Sequence, residues 1–395
     1  MFADLSDAPL DPILGMAQVF AGDPSPQKID LGIGVYKDEN GNVIVLDTVK
    51  QAEEYLRNTQ TTKSYLSSAG NPQYNDAVRG LIFAPGSDAH GRARTIQTPG
   101  GTGALRVGAD FIAKLRPGAR VFMPDPTWPN HPALFRAAGV ETVVYPYYDV
   151  AAGRIRFDAM MDALGEQLTA NDVLLLHGCC HNPSGADPDQ AQWAAIAELL
   201  ERTGAMPFVD LAYLGFGHGL EPDRAGINIL AARVPEMIVA SSCSKNFALY
   251  RERTGALTLV AGGERQVEAA KGHLLPVVRA NYSMPPDHGA AVVAHILGTP
   301  ALRAEWEVEL NGMRERIRRV RLELVNQLAG KGGRDFSYLA DQTGMFALLG
   351  ISPAQVQSLR SDWHIYATDS GRANLAGLTM ANVAHAAEAF ASVTR

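Results

Sequence analysis

The stretch VASSCSKNFALYRERTG, residues 239–255, runs from apolar residues into serines, then Lys245, then Arg251 and Arg253. A lysine at the C-terminal end of a buried strand faces the crevice and loses hydration. Its amine is then more often neutral and nucleophilic. The hydroxyls of Ser242 and Ser244, with the Arg253 guanidinium, form a donor set that grips a phosphate. Taken alone, one such lysine is better read as a solvated lysine with two surface arginines. MPFVDLAY (206–213) ends a second apolar run in Asp210, with Tyr213 three residues on. A buried carboxylate needs a cation or several donors; the partner is a cationic ring or amine, or else a structural hydrogen bond. TIQTPGGTGALRVGADFIAKL (95–115) reads as strand, glycine turn and helix, with Leu105, Gly108, Ile112 and Leu115 on one helical face. Gly100, Gly101 and Thr102 sit where free N–H groups and the helix dipole meet an anion. The turn matches neither the dinucleotide fingerprint nor the Walker motif. Arg372 in SGRANLAG and Arg279 in VVRANYSMPP offer two guanidinium forks, a pair suited to a substrate with two carboxylates, although each alone is better read as a surface ion pair.

LLLHGCCHNPSG (174–185) crowds His177, Cys179, Cys180 and His181 together. As a strand end it would alternate, with His177, Cys179 and His181 on one side and Cys180 on the other. That geometry does not close a tetrahedron around zinc, and no metal site is expected.

Short apolar runs ending in polar clusters (RVFMPDPTW, DVLLLHGCCHN, MPFVDLAY, EMIVASSCSK) alternate with amphipathic stretches such as QAQWAAIAELLERTG. Runs without polar alternation suit strands buried on both faces. The expectation is an α/β fold: a mostly parallel central sheet with helices on both faces, plus a smaller α/β domain. In such sheets ligands bind beyond the C-terminal strand ends, where the residues above fall. ALRAEWEVELNGMRERIRRVRLELVNQLAG reads as one long bridging helix, and the segment after it as strand, helix, strand, helix. The chain has 395 residues and a net charge of −7 with no basic run, which leaves nucleic-acid binding without an electrostatic footprint. No apolar stretch of membrane-spanning length and no secretory leader are apparent, and three cysteines do not make a disulfide framework. A cytoplasmic protein is the expectation.

IDLGIGVYKDENG, TTKSYL, TPGGTGALR, DPTWPNH, LLHGCCHNPSG, FVDLAYLGF, VASSCSKNFALYRERTG, VRANYS and SGRANLAG follow one another in an order that resembles the class I, fold-type I aminotransferases, in their aspartate and aromatic amino acid branch. The resemblance implies pyridoxal 5'-phosphate as cofactor. It implies reversible amino transfer between L-aspartate, or another amino acid, and 2-oxoglutarate by a ping-pong cycle. Tyrosine or phenylalanine, alone or alongside aspartate, are the alternative donors. Lys245 matches the covalent anchor of the cofactor and Asp210 the partner of its pyridinium nitrogen. Tyr213 and Asn182 match the donors to its phenolic oxygen, Trp128 the stacking ring, and His131 the support of the aspartate. Gly101, Thr102, Ser242, Ser244 and Arg253 match the phosphate cup, with Tyr65 reaching in from a second subunit. Arg372 matches the clamp for the substrate α-carboxylate, and Arg279, also from the neighbour, the clamp for the distal one. Gly34 lies where the small domain closes over substrate. The implied assembly is a homodimer with shared active sites. The implied organisation is an N-terminal arm over 1–12, a small domain from 13–44 and 313–395, and a large domain from 45–312.

The chain departs from the family's pattern at Ser184 (usually threonine), Leu214 (glutamine), Cys243 (often tyrosine) and Ala248 (glycine). Ser64 and Met284, which stands where aspartate-preferring relatives tend to have asparagine, leave the choice between aspartate and aromatic donors open. A different reaction on the same cofactor, such as β-elimination or decarboxylation, would use the same lysine and aspartate; the paired arginines favour transamination. A nucleotide-binding protein built on the glycine turn is the reading from another class.

Overall fold

Every residue of VLLLH (173–177) and of MIVASS (237–242) is buried, as strands covered on both faces require. The computed structural model describes residue 2 and residues 12–395. Apart from Phe2 and Pro12, the arm expected over 1–12 lies outside the described residues. The central sheet has seven strands, β1 (Ala93–Pro99), β2 (Arg120–Asp125), β3 (Glu141–Pro146), β4 (Val173–His177), β5 (Met206–Leu211), β6 (Met237–Ser242) and β7 (Thr254–Val260). Their order is β1-β7-β6-β5-β4-β2-β3. β7 runs antiparallel to both its neighbours, and the other pairs are parallel.

Alternate residues of each strand feed two cores. Leu174, Leu176, Val209 and Val239 pack with Trp193, Ile196 and Trp306 on one face. Leu175, Phe208, Ile238 and Leu257 pack with Leu105, Phe111 and Ile112 on the other. The helix Gly100–Leu115 belongs to the second face, but Leu115 is 49 % exposed. The expected apolar stripe therefore ends at Ile112.

A third core joins Ile29 and Leu31 to Val320, Leu324, Phe336, Leu349, Val356, Ile365 and Phe390. The long helix Pro300–Leu328 links the cores: Trp306, Leu310 and Ile317 lie in the first and Val320, Leu324 and Leu328 in the third. Strand Ile29–Asp30 pairs in parallel with Ile365–Tyr366, while Phe346–Leu348 pairs antiparallel with Arg372–Asn374. The segment FSYLADQTGMFALLG, read from the sequence as a strand, is a 3-10 turn over Ser337–Asp341 followed by only three strand residues. Gly344, at a φ of 74°, breaks it in a conformation that side-chain-bearing residues avoid. Helix Pro353–Trp363 starts where Ser352 accepts from Gln355 N–H and the Gln355 side chain returns to the Ser352 backbone.

Candidate active site

The C-terminal ends of β4, β5 and β6 and the start of helix Gly100–Leu115 surround a cavity of about 210 Å³. Its wall contains Gly34, Gly101, Thr102, Trp128, Asn182, Asp210, Tyr213, Ser242, Ser244, Lys245, Arg253 and Arg372. All of the site residues expected from the sequence are there except His131, which stands behind Asp210, and Tyr65 and Arg279.

One end of the cavity is a nest of donors. Ser242 Oγ donates to Ser244 Oγ at 3.0 Å and accepts from Ser244 N–H at 3.2 Å. Arg253 Nη1 donates to the Tyr250 carbonyl at 2.9 Å, turning the guanidinium toward Gly100. β7 passes so close to this helix start that a Cβ on Gly255 would lie 2.3 Å from the Gly100 carbonyl carbon. With the helix N–H groups, this end suits an anion.

At the other end, Asp210 Oδ2 lies 3.1 Å from His131 Nε2. A line of hydrogen bonds runs back from it. His131 Nδ1 is 2.8 Å from Thr127 Oγ1, which is 3.2 Å from His177 Nε2, and His177 Nδ1 accepts from Asn182 N–H at 3.4 Å. The fixed donor at Asn182 and the carboxylate at the far end orient the whole line: His177 donates to Thr127, Thr127 to His131, and His131 to Asp210. Burial holds the His177 imidazole down to about 3. Burial alone would raise the Asp210 carboxyl; the hydrogen bond from His131, with Lys245 nearby, outweighs it and holds it below the usual carboxylate range. An aspartate so held stays ionised and offers a negative charge to the cavity.

Lys245 Nζ lies 4.9 Å from the Tyr213 ring centroid. Burial lowers its ammonium to about 8, with Asp210 opposing and the charges of Arg253 and Arg372 assisting. Burial raises the Tyr213 phenol, so it remains a donor. Arg372 is 4 % exposed, donates to the Gly32 carbonyl at 2.8 Å and stacks with its Cζ 4.6 Å from the Phe346 ring centroid. Among the described residues its buried Nε has no partner. Gly34 faces the same ring, where a Cβ would approach Phe346 Cζ to 3.0 Å.

These are the parts of an enzyme that binds an anionic aromatic cofactor covalently and holds a carboxylate. The family profile "Aminotransferase class I and II" matches residues 26–390. The chain belongs to this aminotransferase family. The aspartate aminotransferase of Escherichia coli (strain K12) is 50 % identical over 396 residues, covering 100 % of both chains. The aromatic-amino-acid aminotransferase of Paracoccus denitrificans is 42 % identical and covers 96 % of each. The crystal structure of the aromatic-amino-acid aminotransferase from Burkholderia pseudomallei, covalently bound to pyridoxal phosphate, superposes with a TM-score of 0.96 at 42 % identity, covering 100 % of both chains.

Five parts of this aminotransferase site escaped the reading by sequence. Leu105, Ala212, Tyr250 and Phe346 line the cavity, and Thr127 links the two histidines. Tyr250 sits inside the quoted VASSCSKNFALYRERTG and was within reach; a threonine and a phenylalanine carry no chemical signature in one dimension. HGCCHN needs a correction. The strand stops at His177, and Cys180 adopts a φ of 52°, so alternation does not extend through the cluster. His177 and His181 lie 4.3 Å apart as a tilted pair, while the sulfurs of Cys179 and Cys180 and a carboxylate oxygen of Asp223 all lie within 4.8 Å of one another. That carboxylate is already occupied, accepting from the N–H groups of Gly215, Gly217 and His218. Tyr65, 92 % exposed, and Arg279, exposed near the end of helix Glu264–Asn281, lie away from the cavity of their own chain.

Proposed function

We propose that this chain is a pyridoxal-phosphate-dependent aminotransferase, moving an amino group reversibly between L-aspartate, or another amino acid, and 2-oxoglutarate in a ping-pong cycle. The observation that carries this is the convergence of Lys245, Asp210 and the buried Arg372 on one cavity with a donor-lined end. Aromatic donors, tyrosine and phenylalanine, are the second reading; relatives of both names match this chain at full or nearly full length.

The cavity fits the cofactor on its own atoms. Ser242, Ser244, Thr102, Arg253 and the helix start supply donors for a phosphate. Asp210 supplies a charge for a protonated ring nitrogen, and Trp128 a flat face. The buried Asn182 amide oxygen has no partner among the described residues, so that side chain is uncommitted. When bound, the cofactor supplies an electron sink for the charge that develops at the substrate α-carbon.

The chain's residues do the rest. Lys245 would hold the cofactor covalently and, once its amine is free, would take up the proton from the substrate α-carbon as general base. Its ammonium, lowered to about 8, is neutral often enough for both tasks near neutral pH. Asp210 keeps the ring nitrogen protonated, with His131 holding the carboxylate in place. Asn182 and Tyr213 donate to the phenolic oxygen. Arg372 receives the α-carboxylate on its free edge and fixes which bond lies over Lys245. Gly34, pressed against Phe346, lets the small domain close and exclude water.

The proposed active unit is a homodimer in which Tyr65 and Arg279 complete the partner's site, Tyr65 at the phosphate and Arg279 at the distal carboxylate. Their exposure away from their own cavity supports this. We keep the division into a small domain (13–44 and 313–395) and a large one (45–312), supported by the separate third core. Among the described residues no helix is long and apolar enough to cross a membrane. A cytoplasmic location is proposed, supported by three free, buried cysteines. The test is a visible spectrum. Protein incubated with pyridoxal phosphate gains a visible band that changes on adding L-aspartate; protein that stays colourless overturns the reading. Rates with aspartate and phenylalanine, measured side by side, choose between the donors.

A further inference from the structure

Two segments from distant parts of the chain meet behind the cavity. One, residues 178–187, carries Asn182. The other, 342–346, carries Phe346, the ring on which Arg372 lies. Asp187 ties them together. Its Oδ1 accepts from His181 N–H at 2.8 Å, and its Oδ2 accepts from Cys180 N–H at 2.6 Å and from the Thr343 hydroxyl at 3.0 Å. Thr343 N–H donates to the Gly185 carbonyl at 2.9 Å. The backbones touch: a Cβ on Gly185 would lie 2.8 Å from the carbonyl oxygens of both Thr343 and Phe346, and one on Gly344 would lie 2.4 Å from Cys180 Cβ. From the far side, Arg321 of the long helix donates to the carbonyls of Gly344 at 2.8 Å and Phe346 at 3.0 Å.

Burial pushes the Asp187 carboxyl up to about 6, against its three hydrogen bonds. A charge kept at that cost, outside the cavity wall, is placed for what it holds. Only one of its three bonds, that from Thr343, crosses between the segments.

We infer that Asp187 and Thr343 are positioning residues that lock the Asn182 loop to the Phe346–Arg372 platform and so set the span between the cofactor-facing amide and the carboxylate-binding guanidinium. The inference rests on the function proposed above and deepens it.

Thr343→Val removes the hydroxyl and keeps the shape; Thr343→Ser keeps the hydroxyl. The probe is succinate, a dicarboxylate with no amine to transfer, titrated into the cofactor-loaded enzyme. Loss of one hydrogen bond to a charged group raises the succinate Kd and the aspartate KM about tenfold in Thr343→Val. The serine variant restores both. Cofactor uptake stays near that of the parent, and the cofactor-free chain still melts in one cooperative transition, lowered by the few degrees that one lost hydrogen bond costs, which separates positioning from loss of fold. Asp187→Asn, which sets an amide N–H against a backbone N–H, shifts the succinate Kd in the same direction and serves if the valine variant does not fold. Unchanged succinate binding in these variants, or a serine variant as weak as the valine one, overturns the inference. A parent protein that takes up no cofactor overturns the proposed function instead.

Discussion

Arg372 and Arg279 carry the same guanidinium and sit in opposite surroundings. Arg372 is buried on a strand of the third core, stacked on Phe346 and anchored to the Gly32 carbonyl. Arg279 is exposed near the end of a surface helix. The same contrast separates Lys245, whose ammonium is lowered to about 8, from Tyr65, 92 % exposed on an irregular segment. The residues at the strand ends, the inner half of the site, are gathered and desolvated within one chain. Tyr65 and Arg279, on the outer surface, would join a site only in the homodimer proposed above. Residue type proposes a role, and the local dielectric decides whether one chain can perform it.

Breaking the inner half has the largest effect. Lys245→Ala is expected to abolish amino transfer; full activity in that variant would remove the lysine from the mechanism. In the cofactor-free parent, competitive acylation over a pH series finds this one amine half-reactive near pH 8. Burial disfavours its charged form, so reactivity rises as pH climbs through that value, well before that of ordinary lysines at about 10.5. A midpoint near the ordinary lysine value would show that the cavity is wetter than its walls imply.

Next come the two arginines compared directly. Arg372→Leu leaves a carboxylate without its buried partner and lowers kcat/KM by about 10²–10³-fold for every amino donor. Arg279→Leu costs aspartate far more than phenylalanine if it binds the distal carboxylate. Equal losses for the two donors would count against that role. Mixing the inactive Lys245→Ala chain with Arg279→Leu chains under subunit exchange should restore about a quarter of the parental sites, since half of the dimers are then hybrids with one intact site each. No recovery on mixing, with exchange verified by mass, argues for sites confined to one chain.

The smallest effect sharpens the inner half. Ala248, three residues after Lys245, holds a φ of 52°, a region costly for a residue with a Cβ. The family's usual residue there is glycine. Ala248→Gly is expected to raise stability by about 0.5–1 kcal/mol, the backbone relief exceeding the added freedom of the unfolded chain. Denaturant midpoints measure it; a destabilised variant would mean that the methyl's packing outweighs the strain.

Much of the inner half was legible because a strand buried on both faces must end in the residues that face the crevice. Asp210, Ser242 and Lys245 were found in this way. Thr127 was not, because its role depends on two histidines, 131 and 177, that only folding brings within reach. Phe346 was missed for the same reason: it works as a surface for Arg372 and a stop for Gly34. HGCCHN misled where a periodic rule was carried past the end of its strand.

By itself the sequence determined the α/β layering and the chemical types that the site can use, since apolar runs, turn residues and ionisable groups are local properties of the chain; the family followed from the resemblance of its ordered motifs. Tertiary structure alone decided which arginine is desolvated, which way the Asp210–His131–Thr127–His177 line donates, and how Asp187 and Thr343 join segments 156 residues apart. Those outcomes depend on burial and on distances between residues remote in sequence, and neither exists until the chain has folded.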